Sequence, residues 1–343
     1  MTASRLLVPF ATLYGAGVAA RLALYRAGVL RVRRAARPVV SVGNVAVGGT
    51  GKTPFVRWLA GELLARGERP VILTRGYGRR SRGLVVVSDG AGTLAPVSAA
   101  GDEPAVLARA LPRVPVIADA SRWRAARRAL EMTPDVSLFL LDDGFSHVGL
   151  FRDVDVVLLD ASAPDAGGDL LPAGRLREPL SAMARADLIV VTRSEKAGAE
   201  AAAAIASRHA PGVPVFHAVT AVVGIRGPGG GALASSELKG VPLVAVAGLA
   251  RPDAFSTTLG ALGVAPVALL PFRDHARFGA REVDKIVRTA ASSGAGGVIT
   301  TEKDAVKLES VCPLPLYVVA IEMRVVEPAF LGELHVLLAR RPS

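Results

Sequence analysis

One short segment constrains this chain more than any other. Residues 39–42 are Val-Val-Ser-Val, and the chain then runs through Gly43-Asn44-Val45-Ala46-Val47 into Gly48-Gly49-Thr50-Gly51-Lys52-Thr53-Pro54. The apolar run reads as a short buried strand. Beyond the loop, Phe55, Leu59 and Leu63 repeat at helical spacing with Val56 and Ala60. Pro54 suits the first turn of that helix and Gly67 its C-terminal cap. Strand, glycine-rich loop and helix together are the setting of a phosphate-binding loop. Gly48, Gly49 and Gly51 let the backbone curl so that N–H groups face phosphate oxygens. The helix N-terminus adds partial positive charge. Lys52 has the reach for β- and γ-phosphates, and Thr53 has the hydroxyl that ligates Mg²⁺. The strict pattern places glycine where Ala46 stands. The loop points to a nucleotide and is silent on ATP against GTP and on what receives a phosphoryl group.

A second site follows about 90 residues later. Residues 136–143 read as a hydrophobic strand ending in Asp142 and Asp143. That is the pattern of a carboxylate that holds Mg²⁺ directly or through water. Successive strand side chains point to opposite faces, so both aspartates cannot serve one ion from the strand itself. The chain is expected to leave the strand there, with Gly144 permitting the turn.

Apolar strands recur at 71–73, 84–87, 154–159, 188–191, 243–247, 298–300 and 316–319, and Ala-rich residues 123–130 and 197–207 read as helices. This alternation predicts an α/β architecture with a mostly parallel sheet. Glycine-rich residues 224–232 interrupt it and suggest a linker or hairpin between two lobes.

Charge bears on partners. The chain of 343 residues carries 41 Lys and Arg against 30 Asp and Glu, a net +11. Seven arginines fall in residues 1–40, and the first acidic residue is Glu62. The same segment holds an uncharged run over residues 6–20, interrupted beyond it by Arg21 and Arg26. Three readings fit: a signal peptide, a core helix, or a helix in the membrane interface with arginines on lipid phosphates. A nucleotide site counts against secretion. With 51% hydrophobic residues the chain is not disordered, and the single cysteine, Cys312, excludes an intramolecular disulfide or a cysteine-based zinc site.

Four polar clusters lie at predicted strand ends or loops. Asp102 and Glu103 precede a helical run, where acids also simply complement the dipole. Residues 75–80, Arg-Gly-Tyr-Gly-Arg-Arg, form a basic turn that suits a phosphate, with Arg75 and Arg79 as candidates. His275 sits in Phe272-Arg273-Asp274-His275. Thr301-Glu302-Lys303-Asp304 reads as a surface salt-bridge turn.

Taken together and in order, residues 42–54, 74–79, 101–104, 141–147, 170–179, 272–275 and 301–307 resemble the tetraacyldisaccharide 4′-kinases, the lipid A 4′-kinases of Gram-negative bacteria. The resemblance implies a P-loop NTPase-like parallel sheet flanked by helices, with a second, smaller α/β lobe and an N-terminal membrane-associated helix. The expected parts are residues 1–34 for that helix, 35–222 for the kinase lobe, 223–240 for the linker and 241–343 for the second lobe. It implies transfer of the γ-phosphoryl of ATP, with Mg²⁺, to the 4′-hydroxyl of a tetraacylated glucosamine disaccharide 1-phosphate at the cytoplasmic face of the inner membrane. Asp102 and His275 match the family's catalytic pair, beside Lys52. Gly48, Gly49, Thr50, Gly51, Lys52 and Thr53 hold the nucleotide, with Arg177 and Glu178 on a mobile segment nearby. Thr53, Glu103, Asp142 and Asp143 are the metal and active-site donors. The family usually carries Gln at position 146, where this chain has Ser146, and basic residues in place of Val148 and Gly149.

The rival class is a P-loop switch ATPase or GTPase of the partitioning or metallochaperone type, which shares a loop of this kind and uses hydrolysis to change shape. A nucleic-acid-binding reading fails for want of a stacking motif near the basic cluster. An anionic membrane surface is the expected partner, and no protein partner is implied.

Overall fold

The computed structural model describes residues 3–248 and 252–340, with side chains from residue 7 onward except 252–254. Residues 1–2, 249–251 and 341–343, at the edges of the expected helix and within the expected second lobe, lie outside the described residues, as does the side chain of Arg5.

The strands are β1 (Val39–Gly43), β2 (Pro70–Thr74), β3 (Val85–Ser88), β4 (Val116–Ala118), β5 (Leu138–Asp142), β6 (Val154–Asp160), β7 (Leu188–Thr192), β8 (Val215–Arg226), β9 (Ala232–Leu233), β10 (Leu243–Ala247), β11 (Ala268–Pro271), β12 (Gly297–Thr301) and β13 (Leu316–Val325). The helices are α1 (Ala3–Arg26), α2 (Lys52–Ala65), α3 (Val97–Ala100), α4 (Asp102–Ala110), α5 (Arg122–Met132), α6 (Ala199–His209), α7 (Pro252–Ala261), α8 (Ala280–Ser293), α9 (Glu302–Leu308) and α10 (Ala329–Ala339). This is the α/β class the alternation predicts. Strands β4, β8, β9 and β11 are additional to those expected from the apolar runs.

All strands join one sheet in the order β11-β10-β12-β13-β8-β7-β6-β1-β5-β2-β4-β3, with β9 pairing β8. From β8 to β4 neighbouring strands are parallel, and so are β11, β10, β12 and β13. The two blocks meet where β13 pairs antiparallel with β8. The glycine-rich stretch is a hairpin: β8 continues to Arg226, Gly227 N–H donates to Gly231 O at 2.8 Å, and β9 returns beside it.

Alternation along β1 explains the layers. Val40 and Val42 face Phe55, Val56 and Leu59 of α2, while Val39 faces the other side, with Ala125, Ala126 and Ala129 of α5. Helices therefore cover both faces of a parallel sheet whose strands β1, β2, β5 and β7 are wholly buried, as such sheets require. The α2-side core also holds Phe330, Leu331 and Leu334, so α10 returns from the end of the chain to pack beside the phosphate loop's helix. Phe330 stands edge-on to Phe55 at 5.8 Å and to Phe216 at 5.3 Å.

α1 is different. Its segment Leu7–Arg26 is long and apolar enough to cross a membrane, with mean hydropathy 1.5 and only 6% buried. Leu7, Val8, Phe10, Leu13, Tyr14 and Leu24 are exposed. It touches the rest of the protein through few points, among them Arg21, which donates to Ser146 O at 2.6 Å.

Candidate active site

The site lies beyond the C-terminal end of β1, at the centre of the first parallel block, where such sheets place ligands. Gly51 takes a left-handed φ of 84° and starts α2 with no side-chain cap, leaving the helix's first N–H groups open to an anion. An added Cβ on Gly51 would lie 2.6 Å from Met323 Cε, and one on Gly48 would strike the Arg175 guanidinium. Three side chains hold the loop in shape. Arg175 donates to Val47 O at 3.1 Å, Arg193 to Gly49 O at 2.6 Å, and Thr192 Oγ1 to Thr50 O at 2.9 Å. None of the three stood out in the sequence, because each arrives from a strand or loop more than 120 residues away.

Lys52 points back across the loop. Its ammonium donates to Asn44 Oδ1 at 3.1 Å and lies 3.6 Å from Asp143 Oδ1. Arg177 grips Asp143 with both guanidinium nitrogens at 2.8 Å, and its Nη2 also donates to Asn44 O at 3.1 Å. Burial raises the Asp143 carboxyl, but the Arg177 hydrogen bonds and the Lys52 charge outweigh it and hold the group well below the usual carboxylate range. Glu178 is buried with both oxygens engaged: Ser146 Oγ donates to one at 2.5 Å and Arg185 to the other at 2.6 Å. It thus supports the wall of the site from behind Arg177.

Asp142 and Asp143 do part company, at a different residue from the one expected. Asp142 ends β5 and is 1% exposed, whereas Asp143 itself takes the left-handed conformation, φ 57°. Gly144 is required for a close approach instead: a Cβ there would lie 2.6 Å from Ser41 Oγ. Burial, then the Glu103 and Asp143 charges, pushes Asp142 up to about 7, against the opposing pull of Lys52 and Arg122. Arg122 is itself 2% exposed, and burial pushes its guanidinium down to about 10.

Glu103 links this carboxylate cluster to a second one. It shares the first turn of α4 with Asp102, whose Oδ2 lies 3.3 Å from His275 Nδ1. His275, at φ 57°, arrives from the loop after β11. Tyr77 stands edge-on to its ring at 5.4 Å. Burial raises Asp102, but the His275 hydrogen bond and the Lys307 charge prevail and hold it below the ordinary value, so it is ionised. Thus Asp102 and His275, 173 residues apart in sequence, are brought together.

The basic turn behaves otherwise. Arg79 ties its own loop to β4, donating to Gly83 O at 2.6 Å and to Ala118 O, at the end of β4, at 3.1 Å. Arg75 is exposed. The expected surface turn at residues 301–304 is a correction: Asp304 is fully buried, because Thr301 Oγ1 at 3.1 Å and Gly248 N–H at 2.8 Å both donate to it.

A phosphate loop with an ionised aspartate against a histidine beside a carboxylate cluster, on a parallel sheet, defines a P-loop phosphotransferase. The family profile "Tetraacyldisaccharide-1-P 4'-kinase" matches residues 3–338, and the chain belongs to that family. A tetraacyldisaccharide 4'-kinase of Anaeromyxobacter dehalogenans is 47% identical over 302 residues, 86% of this chain and 79% of that protein. One from Geobacter sulfurreducens is 42% identical over 323 residues, 93% of this chain and 89% of that protein. The crystal structure of LpxK from Aquifex aeolicus in complex with ATP covers 98% of each chain at 32% identity, with a TM-score of 0.80. The chain is therefore a kinase that uses ATP to phosphorylate the lipid A disaccharide, and the switch-protein alternative is not favoured.

Proposed function

We propose that this chain transfers the γ-phosphoryl of ATP to the 4′-hydroxyl of a tetraacylated glucosamine disaccharide 1-phosphate with Asp102 and His275 as the pair that activates the hydroxyl. The observation that carries this reading is the 3.3 Å contact between an ionised Asp102 and His275 Nδ1, one residue from the Glu103 that faces Asp142. Asp102 accepts from Nδ1–H and so leaves Nε2 as the basic nitrogen, by the logic of a carboxylate–imidazole pair. The sugar oxygen forms its bond to the γ-phosphorus as the bridge to ADP breaks, and Nε2 takes the proton. Lys52, the open amides of Gly49, Gly51 and Thr53, and Arg177 stabilise charge on the phosphates.

The donor set suits Mg²⁺. Thr53, Glu103, Asp142 and Asp143 offer hard oxygens, and the burial and the Glu103 and Asp143 charges that lift Asp142 are costs a divalent cation relieves. Among the described residues no three His, Cys, Asp or Glu side chains are poised to bind a metal by themselves, so phosphate oxygens and water would complete the ligand shell. Bound there, the ion neutralises phosphate charge. Arg75 is the stronger candidate for the substrate's phosphate, since the Arg79 guanidinium is engaged by the carbonyls of Gly83 and Ala118.

The blocks either side of the β8–β13 seam are read as two lobes about residues 35–222 and 241–343, joined through 223–240, with α10 of the second packed into the core of the first. The exposed apolar face of α1, flanked by arginines, suits an anionic membrane surface. ATP confines the reaction to the cytoplasmic face of the inner membrane. The test is to incubate the purified protein with labelled ATP, Mg²⁺ and the tetraacyl disaccharide 1-phosphate in detergent micelles. Label should appear in lipid; label in free phosphate alone would overturn the reading.

A further inference from the structure

The turn at 301–304 and the lysines around it take no part in the proposed phosphoryl transfer, yet they touch its central pair. Thr301 ends β12 and caps α9, accepting from Asp304 N–H. Asp304 is 0% exposed and is anchored to the end of β10 by the Gly248 N–H at 2.8 Å. Its other oxygen lies 2.9 Å from Lys307 Nζ. The same ammonium lies 3.3 Å from Asp102 Oδ2 and donates to Ala276 O at 3.0 Å. An ammonium has three hydrogens. Lys307 thus pairs with two carboxylates, one on α9 and one on α4, and donates to a carbonyl in the loop that carries His275. Its side chain is 9% exposed, so the ion pair is shielded from screening.

We propose that Lys307 is the positioning residue of the Asp102–His275 pair, with Asp304 and the Thr301 cap as its rigid mount. The inference rests on the reading of that pair as the hydroxyl-activating group. Two consequences follow from the geometry. By occupying Asp102 Oδ2 from one side, Lys307 fixes the carboxylate where it meets His275 Nδ1. By holding the Ala276 carbonyl, it sets the loop on which His275 takes its left-handed backbone, a conformation that needs surrounding contacts to persist. Lys303, one turn back, lies 2.7 Å from Asp274 Oδ1 and 3.2 Å from His275 Nε2. An ammonium at Nε2 requires that nitrogen to be the acceptor, so Nδ1 carries the hydrogen toward Asp102, and the substrate hydroxyl replaces the Lys303 ammonium at Nε2 when it gives up its proton. The first turns of α9 therefore set both the place and the tautomer of the imidazole. None of these contacts reaches the phosphate loop, so nucleotide binding is outside their effect.

The test is a double-mutant cycle in the full-length protein. Lys307→Met keeps the length of the side chain and removes the ammonium. It should lower kcat on the order of 10- to 100-fold, leave the Kd for ATP within about twofold, and lower kcat little further in an Asp102→Ala background. In the ¹⁵N NMR spectrum, the His275 nitrogens should shift from one tautomer toward a mixture. Lys307→Met with undiminished kcat, or with a loss that multiplies fully onto that of Asp102→Ala, would overturn the proposal. Should Lys307→Met fail to fold, Asp304→Asn, which keeps the Gly248 contact and loses the charge facing Lys307, is carried through the same cycle: a coupled loss of kcat supports the proposal, and an undiminished or fully multiplicative one overturns it. If Asp102→Ala alone leaves kcat unchanged, it is the reading of the catalytic pair that has failed, and the cycle distinguishes the two.

Discussion

At the scale of single residues, this site is a set of carboxylates given different jobs by their surroundings. Asp143, in the double grip of Arg177, stays ionised at any working pH. Asp102 is held ionised as the partner of His275. Replacing Asp102 by Asn or His275 by Ala should therefore cut kcat by roughly 10²–10⁴-fold while ATP still binds; steady-state kinetics with unchanged turnover in either variant would sink the assignment. Asp142 is the opposite case. Its folded value is pushed up to about 7 from an ordinary 3.8. Between those values the folded protein keeps a proton that the unfolded chain releases. The stabilisation from this group is thus full below about pH 4 and lost as pH rises through about 7. In metal-free protein at about pH 8, Asp142→Asn should raise Tm by several degrees, with the gain shrinking as pH falls through about 7 and vanishing only below about pH 4. Equal melting temperatures at the higher pH would count against a strained, cation-seeking cluster.

At the scale of elements, two helices begin in ways that suit their different roles. α2 opens on a left-handed glycine with no side-chain cap, which leaves its amides for phosphate. α9 opens on a capped threonine, which leaves nothing for a ligand and makes a firm base for the lysines that follow. α1 obeys neither pattern, since most of its surface faces outward. Burying apolar area in lipid is the physical reason for such a helix to form. Deleting residues 1–30 should weaken sedimentation with anionic vesicles far more than it weakens ATP binding. Full-length protein that stays in the supernatant at low salt without detergent would contradict the membrane role. Arg21 also ties α1 to Ser146, and Ser146 in turn supports Glu178.

At the scale of the molecule, one sheet carries both blocks, and β8 is the strand that joins them, parallel to β7 on one side and antiparallel to β13 on the other. The chain's last helix does not stay with the block that precedes it. Phe330 of α10, fully buried among Phe55, Trp58 and Phe216, fills the core under the phosphate loop's helix. Phe330→Ala should cost about 3–5 kcal/mol of stability, as large-to-small changes of buried aromatics do. The urea midpoint reads this, and a loss under about 1 kcal/mol would show that α10 is dispensable to that core.

The sequence by itself determined what is local. The phosphate loop, the strand ending in Asp142 and the alternation of strands and helices are patterns of near neighbours, written in glycine freedom and apolar period. That the chain would bind a nucleotide on a parallel sheet was legible there, and the ordered motifs carried the family. The tertiary structure alone decided which distant groups meet. Asp102 and His275 are partners because α4 and the loop after β11 are packed together. Arg175, Thr192 and Arg193 brace a loop far from them in sequence, and Lys307 joins three elements at one ammonium. Charged and hydroxyl side chains look alike in any exposed turn of a sequence. Burial, which only the fold confers, is what forces each of them to find a partner and so gives it a role.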